Sequence, residues 1–408
     1  MQPSPLDSSY SWLRLVLSMA AGTVACVGQW VIVLVLPQIQ ADFGIDRGTA
    51  SIAYTFLMSG FAIGNLLLGR VVDRYGIAPV LMFAGVALFT GFGLSAFATS
   101  FWQFCLLQIL IGAATAAGFG PLIADLSHWF LKRRGIAVAS AACGNYVAGA
   151  LWPQVLKGML ETDGWRSTFI FVAIAAIVLM APLAFSLRRR MVHTDAYGSG
   201  AVIASPRGAS GVIPVSATTL QWLLATAGFA CCMAMAMPQV QMVAYCMDLG
   251  YGIVAGAEMV SVMLAGGIIS RLISGFAADY IGGIRTLLIG TVLQCLALLL
   301  YLPFNGLASL YVVSAIFGLS QGGIVPCYAL IVREYLPARE AGRRMGMVIT
   351  ATVVGMAVGG WMSGWIYDVT GSYQAAFLNG IAWNLLNIAI MAMLLMRSRP
   401  SKLSAATA

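Results

Sequence analysis

Arg271 is the residue whose type and surroundings point most directly to chemistry, because it lies in an otherwise apolar run, Met263 to Gly275. An arginine at mid-membrane depth costs about 3 to 10 kcal/mol and normally faces a bundle interior or an aqueous cavity. Its planar fork of N–H donors matches the two oxygens of a carboxylate. One interpretation is contact with a carboxylate substrate, and the other is a structural pair with an acidic side chain or backbone carbonyls. We favour substrate contact, because no Asp or Glu is clearly placed at the same depth.

Other polar and aromatic side chains also fall inside apolar runs and could complete a binding site. In lipid such polar groups either hydrogen-bond across helices or face water, and both interpretations stay open for each of them. Amide and aromatic groups suit a small carboxylate with an organic tail, although Trp30 and Phe119 are equally well explained by core packing. The candidate substrate contacts beside Arg271 are Gln29, Trp30, Phe119, Asn145, Tyr146, Gln241, Gln321 and Tyr328, and Asn65, Gln239 and Ser320 are further deep polar groups.

Two acidic residues are candidates for proton coupling. Glu258 precedes Arg271 by thirteen residues, which is about 20 Å along a helix, so it could load protons from the outer side or simply be an exposed carboxylate. Asp125 lies near His128 at the end of an apolar run, where it could form a relay or pair with the basic loop that follows. For both acids we favour the structural interpretation.

Several kinds of chemistry are missing from the sequence. There is no P-loop, no metal-ligand cluster and no nucleophile with a partner base, and the chain has only 2 histidines. None of the 8 cysteines forms a CxxC pair, so they are read as small core residues. We therefore expect neither an enzyme nor a bound metal or cofactor.

Composition shows which elements must position these residues. Of the 408 residues, 60% are hydrophobic and only 9% are charged, which is typical of a membrane protein. A membrane-spanning helix needs roughly 20 apolar residues. Twelve such segments are predicted, at residues 15–36, 49–69, 77–98, 101–124, 135–160, 167–187, 220–246, 254–278, 285–303, 307–331, 344–366 and 374–396.

The basic residues predict the orientation of these segments. The net charge of +8 could indicate nucleic-acid binding, but the Lys and Arg residues sit in short clusters between apolar segments. Apart from Arg271 within a segment and Arg47, Lys157 and Arg166 in loops of one side, all lie on the other side. The positive-inside rule makes that side cytoplasmic, with both termini there. The first segment is too long for a signal peptide and is read as a retained helix of a multi-pass protein in a bacterial inner membrane.

The chain contains an internal repeat. The loop Gly69 to Gly76, with Asp73, resembles the loop Ser274 to Gly282, with Asp279, at an offset of 206 residues. Two further matches, between the clusters ending at Gly135 and Gly346 and between Phe169 and Phe377, have offsets of 211 and 208. The sequence therefore predicts a duplicated six-helix unit with a site near the bilayer midplane between the halves. The predicted domains are residues 1–187 and 220–408, joined by a cytoplasmic linker at 188–219.

The loop Gly69 to Gly76 resembles the signature loop of the major facilitator superfamily. That resemblance implies an all-α integral membrane fold of twelve transmembrane helices in two pseudo-symmetric bundles. It also implies that Asp73 and Asp279 act in gating and scaffolding rather than in substrate binding. The predicted gating residues are Asp73, Arg74, Asp279, Arg134 and Arg343.

A narrower resemblance links the chain to the bacterial monocarboxylate and oxalate–formate transporter branch. It is carried by Trp129 to Ala137 with Gly144, by Gly164-Trp165-Arg166, and by Pro238 to Tyr245 with Leu249-Gly250. Members of that branch carry a substrate-binding Arg in segment 8, which Arg271 matches.

Three departures from this branch decide the predicted substrate. Gly267 stands where proton-coupled animal members have an Asp, and Thr352 where the oxalate antiporter has a Lys. Near Trp30 the chain also lacks the Lys of the animal members. A dicarboxylate in a dry cavity needs two positive partners, and one cation is left here.

We therefore predict a secondary transporter of small monocarboxylates, coupled to a proton or a counter-anion and monomeric in the bilayer. The alternatives are a broad drug or metabolite exporter, for which the 21 methionines could line an adaptable cavity, and a membrane sensor that transports nothing.

Overall fold

Helices make up almost all of the protein. The computed structural model describes residues 6–131, 134–189, 211–212, 214–336 and 340–400. In the first half the spans are Ser9–Ala25 with Val27–Phe43 (span 1), Arg47–Tyr75 (span 2), Ile77–Ala96 (span 3), Phe101–Ala116 with Gly120–Ser127 (span 4), Arg134–Ala142 with Gly144–Thr162 (span 5) and Gly164–Ser186 (span 6).

The second half repeats this order. Its spans are Ala217–Asp248 (span 7), Gly252–Ile281 (span 8), Gly283–Leu300 (span 9), Leu307–Gln321 with Ile324–Tyr335 (span 10), Ala341–Thr370 (span 11) and Tyr373–Arg397 (span 12). Two short strands, Gly211–Val212 and Arg399–Pro400, pair antiparallel and connect the linker to the C-terminal segment. Most of the predicted linker lies outside the described residues.

Length and composition identify eleven of these twelve spans as helices able to cross a membrane. The remaining one is span 5, whose two helices meet at Cys143 and carry Asn145, Gln154 and Lys157. A span with this many polar groups is tolerated where it faces the interior of a bundle.

The two halves match residue by residue where helices touch. In the first half, a side chain at Gly112 would overlap the backbone carbonyl of Leu57. In the second half, a side chain at Gly318 would overlap the carbonyl of Met263, and both partners are shifted by 206 positions. Small residues let membrane helices approach closely, and here they do so at equivalent places. The predicted repeat therefore appears in the packing of spans 2 and 4 and of spans 8 and 10.

Helix breaks release backbone carbonyls in spans 4 and 10. Proline has no N–H, so the carbonyl four residues before it loses its helical partner. Pro121 removes the partner of Ala117, and Pro326 removes that of Gly322. Span 5 is interrupted at Cys143, and the Ala142 carbonyl stands at the end of its first helix, where carbonyls also lack helical partners.

The two halves meet along spans 2 and 11 at their outer ends, the ends away from the basic loops. Asp368 of span 11 accepts hydrogen bonds from the backbone N–H groups of Arg47, at 3.1 Å, and Gly48, at 2.5 Å. It thereby caps the first turn of span 2, where a negative charge is favoured by the helix dipole. The buried Arg47 side chain pairs with Asp248 of span 7 at 2.5 Å and lies over the ring of Tyr367. We call the contact between spans 2 and 11 the first seam between the halves, and these interactions close its outer end.

A second seam joins spans 5 and 8. Lys157 of span 5 forms an ion pair with Glu258 of span 8, which also accepts a hydrogen bond from Tyr311. Lower in the same seam, a side chain at Gly149 would overlap Leu264 and Trp30. Both seams are thus closed at their outer ends by charged groups from opposite halves.

Candidate functional site

A cavity of about 320 Å³ lies between the two halves. It is lined from the first half by Gln29, Trp30, Met58, Phe61, Ala62, Asn65, Leu66, Phe119, Gly120, Asn145 and Tyr146, and from the second half by Cys232, Met235, Gln239, Arg271, Val325, Gly346, Ile349, Thr350, Thr352, Val353 and Met356. Leu66, Gly346 and Thr350 are exposed, and they lie toward the ends that carry the basic loops. Met58, toward the outer ends, is buried. The cavity therefore opens on the side of the basic loops.

Among the described residues that form this lining, Arg271 has the only basic side chain. It is 6% exposed, and its Nε donates to the Gly322 carbonyl at 3.1 Å, while Nη1 donates to the Ala142 carbonyl at 2.6 Å. Both carbonyls lie at the helix breaks described above, one in each half. No described acidic side chain forms an ion pair with this guanidinium. Two backbone carbonyls, one from each half, thus accept hydrogen bonds from this guanidinium.

The aromatic side of the site comes from spans 1 and 5. The guanidinium carbon of Arg271 lies 4.4 Å from the centre of the Tyr146 ring, within the range of a cation–π contact. The Trp30 indole N–H donates to the backbone carbonyl of Asn145 at 2.9 Å and to its side-chain oxygen at 3.0 Å. These bonds fix the Trp30 ring as one wall of the cavity.

Two amides, Gln29 of span 1 and Gln239 of span 7, also line the cavity. Gln239 donates to the side-chain oxygen of Gln321 at 2.7 Å, whereas the oxygen of Gln29 is buried with no hydrogen-bond partner among the described residues. The amides give the cavity polar groups beside its cation.

Three of the nine predicted substrate contacts lie away from the cavity lining. Gln241 donates to the Ser51 hydroxyl and to the Gly360 carbonyl and so joins spans 2, 7 and 11. Tyr328 is fully buried and donates to the side-chain oxygen of Asn387. Gln321 reaches the cavity only through Gln239. The other six, Arg271, Gln29, Trp30, Phe119, Asn145 and Tyr146, line it together.

The two predicted proton-coupling acids are both paired and both lie outside the lining. Glu258 is not the exposed carboxylate that the sequence favoured, because Lys157 and Tyr311 hold it in the outer seam. Asp125 pairs with Arg14 of span 1 at 2.7 Å. Arg14 is 1% exposed and also donates to the Leu187 carbonyl at the end of span 6.

The predicted gating residues lie at the open side. Asp73 and Arg74 are exposed at the end of span 2, Asp279 is exposed near the end of span 8, and Arg343 is exposed at the start of span 11. The side chain of Arg134 is outside the described residues. Among the described residues, no group of three or more His, Cys, Asp or Glu side chains could hold a metal ion.

Sequence reasoning missed most of the apolar lining. Met58, Met235 and Met356 come from spans 2, 7 and 11, and Phe61 and Val325 come from spans 2 and 10. No property of these residues distinguishes them from ordinary core positions in a sequence this apolar. Gln239, named from the sequence as a further deep polar group, lines the cavity.

Two bundles of six spans around a central cavity are the architecture of a membrane transporter. The family model of the Major Facilitator Superfamily matches residues 18–276 and 224–407. The chain belongs to this superfamily and is one of its multi-pass membrane transporters.

Known relatives are similar over most of their length. The chain is 27% identical over 332 residues to monocarboxylate transporter 13 of Rattus norvegicus, covering 81% of this chain and 75% of that one. It is 25% identical over 339 residues to the fujikurins efflux protein of Gibberella fujikuroi, covering 78% and 70%. Among solved structures, a bacterial homolog of the human lysosomal transporter Spinster, inward-facing and occupied, has a TM-score of 0.70 at 13% identity over 96% of this chain and 97% of that one. That likeness concerns the fold alone.

Proposed function

We propose that this transporter carries small organic anions, most specifically monocarboxylates, and that Arg271 binds the carboxylate. The observation that carries the proposal is the position of Arg271, which lines the cavity between the halves without an acidic partner among the described residues. A buried charge of this kind is stabilised by a counter-charge, and an anionic substrate supplies one. Similarity to a monocarboxylate transporter supports the same class of substrate.

The lining favours one carboxylate rather than two. Thr352, the position where a second cation was sought in the sequence, lines the cavity with a neutral side chain. The methionines and phenylalanines of the lining would have to desolvate a second carboxylate without compensation. An organic tail would pack on that wall instead, with Gln29 and Gln239 available for a polar substituent.

Alternating access would use the two seams. By the positive-inside rule the basic loops face the cytoplasm, so both termini are cytoplasmic and the open side of the cavity faces inward in a bacterial inner membrane. The outer ion pairs would break as the halves rock, and the exposed gating loops would close. Coupling to a proton or a counter-anion belongs to this proposal, and the protein would act as a monomer with two units, residues 1–187 and 220–408, on either side of the linker.

A thermal-shift screen on purified protein tests the proposal. The panel contains acetate, pyruvate and phenylacetate as monocarboxylates and oxalate and succinate as dicarboxylates. Binding to the folded state raises the melting temperature, so a monocarboxylate should stabilise the wild type and lose that effect in Arg271→Gln. The matched control is Arg285→Gln, an exposed arginine of the same half outside the lining. Stabilisation that survives Arg271→Gln would contradict the assignment, and uptake into proteoliposomes checks that the bound anion is transported.

An exporter of larger apolar compounds is the second candidate. The specific observation in its favour is the methionine and phenylalanine wall, since methionine adapts to ligands of varied shape. The similarity to an efflux protein points the same way. Resistance to several antibiotics on overexpression, retained in Arg271→Gln, would support this function over anion transport.

A further inference from the structure

Span 8 carries a glycine one helical turn before its arginine, and the ring of Tyr146 fills the space beside it. Gly267 and Arg271 are four residues apart and therefore on the same face of the helix. A Cβ at Gly267 would overlap the Tyr146 ring. The same ring lies under the guanidinium, 4.4 Å from its central carbon.

From this geometry we propose that Tyr146 is a positioning residue for Arg271, and that Gly267 is the specificity-determining position that admits its ring. The proposal rests on the proposed function, because it concerns how the same arginine is presented to a carboxylate. The face of an aromatic ring attracts a cation through its quadrupole and has no net charge. Tyr146 thus holds the guanidinium without neutralising it.

A carboxylate at position 267 would affect Arg271 differently from the Tyr146 ring. Any Asp at position 267 would lie one turn from Arg271 on the same face, where opposite charges pair. It would neutralise the arginine and compete with an anionic substrate for its N–H groups. The glycine–tyrosine arrangement leaves the charge of Arg271 available at every pH at which the substrate is ionised.

The contact also crosses between the halves. Tyr146 belongs to span 5, four residues after Ala142, whose carbonyl accepts a hydrogen bond from the same guanidinium. One segment of the first half therefore supplies both the ring and the acceptor that orient an arginine of the second half. Loss of the Tyr146 ring should free the Arg271 side chain to adopt other rotamers. Ordering that side chain when the anion binds would then cost more conformational entropy.

Substitutions at Tyr146 test the proposal with the monocarboxylate of the panel that stabilises the wild type most. Tyr146→Phe keeps the ring face and should change the apparent Kd by less than twofold. Tyr146→Leu should weaken binding about tenfold, and in proteoliposomes it should raise KM more than it lowers the maximal rate. Wild-type affinity in Tyr146→Leu, or an equal loss in Tyr146→Phe, would overturn the proposal.

A double substitution gives a readout that a purely structural role would not change. Tyr146→Leu together with Gly267→Asp removes the ring and places a carboxylate beside Arg271. Anion binding should then strengthen as the pH falls and the aspartate protonates, whereas Tyr146→Leu alone should show no such dependence. Equal pH profiles in the two variants would contradict the proposal.

These measurements distinguish failure of the proposed function from failure of the positioning role of Tyr146. If no carboxylate of the panel stabilises the wild type, the proposed function fails and this inference with it. If Arg271→Gln abolishes binding and Tyr146→Leu does not, only the positioning role fails. Melting temperatures without ligand show whether each variant is folded.

Discussion

Asn65 and Arg271 are 206 positions apart, and each contacts the helix break in its own half. The Asn65 side-chain oxygen accepts from the Gly120 backbone N–H at 3.3 Å, at the break in span 4. Arg271 donates from Nε to the Gly322 carbonyl at 3.1 Å, at the break in span 10. Both residues line the cavity, so the duplicated scaffold presents a neutral amide on one side and a cation on the other.

Pro326 should control the orientation of Arg271. Pro326→Ala restores an N–H that can bond to the Gly322 carbonyl and remove it as an acceptor for the arginine. We expect weaker monocarboxylate binding, by about three- to tenfold, with an unchanged or higher melting temperature of the free protein. Thermal shift measures both quantities. Pro182→Ala in span 6, at an exposed position away from the cavity, is the control and should leave binding unchanged.

The equivalent glycines Gly112 and Gly318 should be equally intolerant of a side chain. Alanine at either position places a Cβ against a backbone carbonyl, and overpacking of this kind costs about 1 to 3 kcal/mol. Both variants should lower the melting temperature by several degrees. Gly93→Ala, where a Cβ meets no atom within 4 Å, should not. A neutral effect of Gly112→Ala or Gly318→Ala would show that these helices are less closely packed than the structure has them.

Exchange of the charges of Lys157 and Glu258 should affect how easily the outer seam opens. Lys157→Glu or Glu258→Lys places like charges together, and the double reversal restores attraction across a half-exposed pair worth about 0.5 to 1 kcal/mol. The measurement is the labelling of Cys232, which lines the cavity, by an impermeant maleimide added outside, in protein whose other cysteines are replaced.

Single reversals should speed this labelling severalfold, and the double reversal should slow it again. Asp42 and Arg166 form a similarly exposed ion pair within the first half, so the same reversal there should leave labelling unchanged. Equal effects at both pairs would mean that labelling does not report on separation of the halves.

Asp125 should matter for stability rather than for proton movement. Removing one member of a buried ion pair costs about 3 to 5 kcal/mol, and Arg14 is buried against this carboxylate. Arg14→Gln and Asp125→Asn should therefore both lower the melting temperature. Uptake by Asp125→Asn should keep the pH profile of the wild type. A folded Asp125→Asn protein with a flattened profile would instead restore the proton-relay interpretation.

The sequence predicted all twelve spans, but not their ends or their breaks. Hydropathy marks only the apolar part of a helix, whereas span 2 starts at Arg47, where Asp46 accepts from the Thr49 N–H, and continues to Tyr75 beyond the apolar run. The interruption of span 5 at Cys143 has no Pro or Gly–Gly signal of the kind found in span 10.

For the site, depth along a helix was predictable and rotation about its axis was not. Gln239 and Gln241 lie two residues apart in span 7, on opposite sides of the helix: one lines the cavity and the other binds Ser51 between spans 2 and 7. In a span that is buried on nearly all sides, no polar face distinguishes the two. Arg271 could be placed because a lone cation in hydrocarbon has few favourable surroundings.

The backbone carbonyls that hold Arg271 are dipoles and leave its full positive charge inside the membrane. Moving one elementary charge across the membrane potential is worth about 2.3 kcal/mol per 100 mV. In the proposed transport cycle, rocking of the halves would move the arginine through part of that field, so a voltage that is negative inside should favour the empty protein with its cavity toward the cytoplasm. A monocarboxylate bound as proposed would cancel the charge, and the loaded protein should then reorient with little dependence on voltage.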